Sequence, residues 1–250
     1  MSGNMVQLYG CTNIFDWGEI MRRVGLIGGM SWESTDLYYQ QINRAVQKRL
    51  GGLHSAKIIL TSVDFAEIEE LQRKGEWEEA GDYLAYEAQI LEKADADCVV
   101  LCTNTMHKIA DQIESAITIP FIHIADATAD TIKAAGIDQV GLLGTAFTME
   151  QDFYKARLEA QGINVLVPDC AERKVVHDVI FKELCCGIIQ EDSKQKYIDI
   201  ANDLIEKGAK GIILGCTEIC MLIGDVEFSV PVFDTTSIHV DSVVEFILAE

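Results

Sequence analysis

From residue 24 onward the chain alternates short, nearly continuous apolar runs with longer stretches whose apolar positions recur every three to four residues. The apolar runs are rich in β-branched residues. They predict strands over 24–27, 57–62, 98–102, 121–123, 140–143, 164–167, 211–214 and 232–233. The 3.6-residue pattern predicts helices over 35–49, 77–93, 128–135, 148–161 and 193–207. Strands that are apolar on both faces and alternate with helices read as parallel sheets covered on both sides, so the expected fold class is α/β. Pro120 and Pro231 each stand just before a strand, where a missing N–H is tolerated. Residues 1–22 follow no clear period and read as an N-terminal extension, with a second start-like methionine, Met21, near its end.

The pattern repeats. Val24-Gly25-Leu26-Ile27-Gly28 is echoed by Val140-Gly141-Leu142-Leu143-Gly144. Val100-Leu101-Cys102-Thr103-Asn104-Thr105 is echoed by Ile213-Leu214-Gly215-Cys216-Thr217-Glu218. Pro120-Phe121-Ile122-His123 is echoed by Pro231-Val232-Phe233-Asp234. The markers keep their order, and Val24 to Thr103 spans 79 positions against 76 from Val140 to Cys216. A duplication accounts for this better than chance resemblance of apolar strands. It gives two pseudosymmetric parallel-sheet lobes, 23–125 and 126–250, with part of the C-terminal segment free to join the first. Ligands of open α/β sheets bind beyond the carboxyl ends of strands, so both second markers are expected to face one cleft.

Composition narrows the function. Of 250 residues, 49% are apolar and 24% charged, as in ordinary globular proteins, and no apolar run reaches the ~18 residues of a membrane span. The net charge is −20 and basic residues form no cluster. That excludes the basic footprint of a nucleic-acid binder and attraction to anionic membranes. Eight cysteines without a CxxC pair fit neither a structural zinc site nor the dense framework of a small secreted domain. No secretory signal is visible, so a reducing cytoplasm is the expected compartment.

The chemistry sits at the strand ends. In the repeat Cys216 aligns with Thr103, while Cys102 aligns with Gly215. A helix beginning at these points offers unpaired N–H donors and a positive dipole end, which suit a carboxylate and lower the pKa of a thiol. Cys216 is therefore a candidate acid/base, expected to be activated by the helix that follows it. The glycines Gly25, Gly28 and Gly29 lack the G-x-G-x-x-G spacing of a dinucleotide site, although Gly28 and Gly29 permit close approach of a ligand to the backbone.

Gly28-Gly29-Met30-Ser31-Trp32-Glu33-Ser34-Thr35, Thr103-Asn104-Thr105 and Gly215-Cys216-Thr217-Glu218 resemble the aspartate/glutamate racemase family. The resemblance runs from Val24 to the C-terminus. The runs 101–108 and 51–77 are most similar to the branch specific for L-aspartate and L-glutamate. It implies a racemase without pyridoxal phosphate, metal or other cofactor, acting on an acidic amino acid. In that family two cysteines flank the substrate α-carbon, one removing the proton and one returning it. Dimers are common in the family, which admits a homodimer here.

The family's first motif is Cys-Asn-Thr, where this chain has Thr103-Asn104-Thr105. Cys102 is one residue early, and on a strand one residue turns a side chain to the opposite face. Thr103 thus stands in for the first cysteine and is a poor base. The expected site is asymmetric: catalytic residues Thr103 and Cys216, with Cys216 the competent base and the L-enantiomer preferred. Met30, Gln72, Asn104, Thr105, Thr217 and Glu218 are the expected substrate-binding residues. Gln72 is placed, beside Arg73, in a polar loop before Gly75. Glu218 orients Cys216 or the substrate ammonium group. His107, one turn after Thr103, either assists it or caps the helix, and His123 and Asp234 support the cleft. The competing readings are a single-thiol enzyme of the same fold, such as a decarboxylase, and a binding protein whose catalysis has decayed with the lost cysteine.

Overall fold

The computed structural model describes residues 21–249. Nearly all of the expected extension, residues 1–20, lies outside them. The first half runs β1 (Arg23–Gly28), α1 (Trp32–Leu50), β2 (Lys57–Ser62), α2 (Phe65–Lys74), α3 (Trp77–Lys93), β3 (Cys98–Leu101), α4 (Ala110–Ala116) and β4 (Phe121–Ile122). Then α5 (Ile124–Ala134) leads into the second half. That half runs β5 (Gln139–Gly144), α6 (Ala146–Glu150), α7 (Asp152–Glu159), β6 (Asn164–Leu166), α8 (Cys170–Lys182), α9 (Glu191–Glu206), β7 (Ile212–Gly215), α10 (Ile219–Ile223), β8 (Val232–Asp234) and α11 (Thr235–Leu248).

Among the described residues the strands form two four-stranded parallel sheets, ordered β2-β1-β3-β4 and β6-β5-β7-β8. The two orders are the same order repeated, so the fold carries the duplication seen in the motifs. Central strands are buried on both faces: β3 and β7 have no exposed residue. This is why they read as continuous apolar runs instead of alternating ones. The β2 edge strand has no fully buried residue and is exposed or half-buried along its length.

The lobes exchange their last helices. Helix α5 follows β4, yet Ile124, Ala125, Ala129 and Ile132 pack in the core around β5 and β7. Helix α11 follows β8, yet Val240, Val243, Val244 and Ile247 pack with Val24, Leu26 and Val100 of the first sheet, and with Tyr38 of α1. Each sheet is covered by a helix that continues from the other, so parting the lobes works against two apolar interfaces. His239 on α11 is wholly buried in this seam, where Tyr38 Oη lies 2.8 Å from Nδ1 and Nε2 donates to Ile122 O at 2.8 Å.

Five helices were not anticipated from periodicity: α2, α4, α8, α10 and α11. The polar loop expected around Gln72 is the last turn of α2. Its ends carry ordinary stop signals: the Asp64 carboxylate accepts from Ala66 N at 3.0 Å, and Gly75 closes the helix in the left-handed region at φ 77°. Its apolar residues Phe65, Ile68 and Leu71 lie at helical spacing and pack in the first-lobe core, and Gln72 is buried beside them.

One glycine is required by geometry. Gly29 has φ 98°, and a Cβ there would lie 2.3 Å from Val63 O. This close passage lets the chain turn off β1 into the start of α1, where Ser31 caps the helix. Gly29→Ala is expected to destabilise the protein by about 3 kcal/mol, read as a lower urea midpoint at unchanged m-value.

Candidate active site

The carboxyl ends of the central strands β1, β3, β5 and β7 meet between the lobes and enclose a cavity. Fourteen residues line it, among them every binding or catalytic residue expected from the sequence. The first half contributes Met30, Gln72, Thr103, Asn104 and Thr105; the second contributes Cys216, Thr217 and Glu218. Only about 30 Å³ is open to the centre of a water-sized sphere, room for roughly two waters. The cleft is closed in this state.

Thr103 stands two residues past the end of β3 and Cys216 one residue past the end of β7. The Thr103 backbone is pinned: its N–H donates to Leu101 O at 2.9 Å, and its carbonyl accepts from His107 Nδ1 at 2.7 Å. His107 Nε2 in turn accepts from Ile124 N at 3.3 Å, which fixes the proton on Nδ1. His107 therefore holds the Thr103 turn and does not reach the hydroxyl as a base. Burial, with His123 and His239 beside it, keeps this imidazole well below its usual pKa and neutral. Among the described residues no hydrogen-bond partner meets the Thr103 hydroxyl. Cys102 faces the other way, into the core formed with Tyr38 and Val240, where burial raises its pKa.

Asn104 spans the lobes. Thr235 Oγ1 donates to Leu214 O at 2.9 Å, so it can only accept from Asn104, whose Nδ2 lies 3.1 Å away. That orientation leaves Asn104 Oδ1 buried without a partner among the described residues. An orphaned acceptor in a polar cavity is costly and is suited to an entering N–H donor. Thr105 bridges to Thr145 of the other lobe at 3.0 Å between hydroxyl oxygens.

Glu218 is the hub. It is 3% exposed, and its carboxylate collects hydroxyl and thiol donors from both lobes. Ser31 and Ser34 Oγ donate to Oε1 at 2.9 and 2.8 Å; Thr217 Oγ1 and Cys216 Sγ donate to Oε2 at 2.6 and 2.9 Å. Cys185 Sγ lies 3.9 Å from Oε1. None of these donors is cationic.

The expectation that helix placement activates Cys216 is not met. Burial raises the thiol pKa well above its usual value, and the Glu218 carboxylate raises it further. Helix α10 has only five residues, too short a run of aligned peptides to oppose a full charge at hydrogen-bond distance. In the resting site Cys216 is a thiol donating to Glu218.

Gln72 reaches the cavity from α2, its Nε2 2.9 Å from Met106 Sδ, while Arg73 beside it points to solvent and pairs with Glu69 at 3.8 Å. His123 and Asp234 are equivalent strand-end residues that cap the two exchanged helices. His123 Nδ1 accepts from Ala125 N at 3.1 Å and Asp234 Oδ1 from Thr236 N at 3.0 Å. Neither lines the cavity. The sequence reading missed Ser31 and Ser34 as partners of Glu218, and Thr145, Cys185, Phe65, Ile180 and Phe181 as cavity wall. Thr145 was findable: it directly follows Gly144 in the repeated strand motif. The others belong to helices or turns outside the repeat.

Paired parallel sheets, repeated strand-end motifs and a buried cleft between them define a duplicated two-lobed α/β protein with its site at the lobe junction. A family model described as Asp/Glu/Hydantoin racemase matches residues 27–243. The chain belongs to the Asp/Glu/hydantoin racemase family, and amino-acid racemisation is the activity this membership supports. A Yersinia pestis protein assigned as an Asp/Glu racemase is 55% identical, with TM-score 0.85 over 90% of this chain and 99% of that one. An aspartate racemase homologue from Pyrococcus horikoshii OT3 is 34% identical, with TM-score 0.78 over 92% of this chain and 100% of that one. The broad specificity amino-acid racemase RacX of Bacillus subtilis (strain 168) is 26% identical over 162 residues, 64% of this chain and 68% of that protein. Among the described residues no helix is long and apolar enough to cross a membrane.

Proposed function

We propose that this protein racemises amino acids without pyridoxal phosphate, with Cys216 as the base toward the L-enantiomer and Thr103 as the proton donor on the opposite face. The observation that carries the reading is the meeting of these two repeat-equivalent groups in one closed cavity, one thiol held by a carboxylate and one hydroxyl that meets no partner among the described residues. Aspartate and glutamate, expected from the resemblance, fall within its substrate range.

The steps balance as follows. The substrate ammonium group is held by Asn104 Oδ1 and Glu218, the two acceptors the cavity offers it. Its charge offsets the Glu218 field that raises the Cys216 pKa, and Glu218 relays the thiol proton to solvent before the site closes, returning to a carboxylate. The thiolate so formed is strongly basic because its pKa is high, which suits a weakly acidic Cα–H. It takes the α-proton, and the electron pair delocalises into the substrate carboxylate. Thr105, and Thr217 once its hydroxyl turns away from Glu218, donate hydroxyl hydrogens to the oxygens that gain charge, in a site closed to bulk water. The Thr103 hydroxyl delivers a proton to the other face and regains one from solvent when the site reopens, which replaces the thiol proton released at the start. Starting from the D-enantiomer, Thr103 itself would have to act as base, which a hydroxyl does poorly.

Incubation with L- and D-aspartate and L- and D-glutamate in D₂O tests the reading: α-deuterium enters the L-forms much faster than the D-forms. Absence of exchange from every enantiomer would sink it. A second expected result concerns pH. Because Glu218 raises the Cys216 pKa, L-exchange rises as pH increases toward that pKa. Glu218→Gln removes the negative charge, so the rising limb of kcat/KM against pH moves to lower pH even as the neutral-pH rate falls. A limb that stays in place or moves upward would show that Glu218 does not control the thiol.

A further inference from the structure

We infer that this site, read as a racemase site as above, prefers amino acids with small uncharged side chains over aspartate and glutamate. The charged group and most of the polar groups of the cavity match the amino-acid head, and the polar side chains left over, Gln72 and Thr145, are uncharged. Glu218 and the orphaned Asn104 Oδ1 answer the ammonium group, and Thr105 and Thr217 answer the α-carboxylate. Among the described residues that line it there is no arginine, lysine or histidine. A second carboxylate would enter with no cation to meet it, facing the only charged lining group, Glu218, which has its own sign. Buried charges are tolerated when paired and strongly disfavoured when not.

What remains of the wall is uncharged and mostly apolar: Phe65, Ile180, Phe181 and Met30, with Gln72, Thr145 and Cys185. These favour a hydrocarbon or hydroxyl side chain, and the tightness of the closed cavity favours a short one.

Cations do occur nearby, but outside and already engaged. A shallow vestibule of about 280 Å³ between α2 and α8 shares Gln72 and Phe181 with the inner cavity, so these two side chains form the partition. Its cations are Arg73, paired with Glu69 at 3.8 Å, and Lys182, paired with Asp178 at 3.2 Å. His177, also there, accepts from Ala146 N at 3.2 Å and is held neutral by burial, which lowers its pKa. A distal carboxylate pushed past the partition would have to displace Glu69 or Asp178.

The test is α-proton exchange in D₂O with L-alanine, L-serine, L-methionine, L-aspartate and L-glutamate. The best neutral substrate is expected to exceed both acidic ones in kcat/KM by about tenfold or more. Equal or faster turnover of aspartate or glutamate overturns the inference and leaves the racemase reading intact; exchange from none of the five overturns both. Gln72→Arg and, as a second variant, Phe181→Arg each place a guanidinium on the partition. Each should lower KM for aspartate and glutamate relative to alanine. An unchanged ratio in a folded variant means that the missing cation does not set the preference.

Discussion

Cys216→Ser is expected to abolish deuterium uptake from L-substrates, a loss of about a thousandfold or more, since general-base catalysis contributes roughly 10²–10⁴-fold. The variant should keep its fold. Serine is smaller than cysteine and its hydroxyl can still donate to Glu218 as the thiol does now at 2.9 Å. The loss therefore isolates proton transfer from structure, provided the far-UV circular dichroism and thermal midpoint stay near those of the parent. Serine cannot replace the thiol as base because its hydroxyl is far less acidic, and Glu218 has no leverage to ionise it. Retention of more than about a tenth of the parent rate would mean that another group removes the α-proton. Cys185 would be the first to examine, since it also approaches Glu218, at 3.9 Å.

Thr103→Cys is the converse expectation, a gain. It restores a thiol on the face opposite Cys216, so exchange from D-substrates should rise by about a hundredfold or more over the parent. The position is built to present a side chain: its backbone is fixed by Leu101 O and His107, and its hydroxyl meets no protein partner among the described residues. The new thiol would also lie farther from the Glu218 network than Cys216 does, so its pKa lacks that upward push. Hence the D-route should reach its maximum at lower pH than the L-route. Measuring D- and L-exchange across pH in one variant checks both statements. A variant that folds but exchanges only L-forms would show that Thr103 is not the partner of Cys216.

The largest parts of the architecture were legible in the chain because they depend on local pattern. Continuous apolar runs between helical stretches specify parallel strands, and the repeat of three motifs in order specifies two similar sheets. Thr103, Cys216 and their flanking residues were legible for the same reason. They sit at strand ends, whose place in an α/β fold is set by topology. The parity argument that sets Cys102 aside needs only the two-residue period of a strand, and the structure puts that thiol in the opposite core.

Other features depend on which groups meet, and no local pattern records that. The exchange of α5 and α11 between the sheets is decided by two apolar helix faces choosing the more distant core. The state of Cys216 is decided by burial and one carboxylate at hydrogen-bond distance, which outweigh a five-residue helix. The partners of Glu218 come from Ser31 and Ser34, 187 and 184 positions away. Part of the cavity wall comes from α2 and α8, two helices outside the repeated motifs. Sequence determined the two sheets and the groups that stand at their ends, because periodicity and strand-end placement are properties of short segments. Tertiary structure alone decided the protonation of the thiol, the partners of the carboxylate and the uncharged wall, because desolvation and pairing exist only once distant segments are brought into contact.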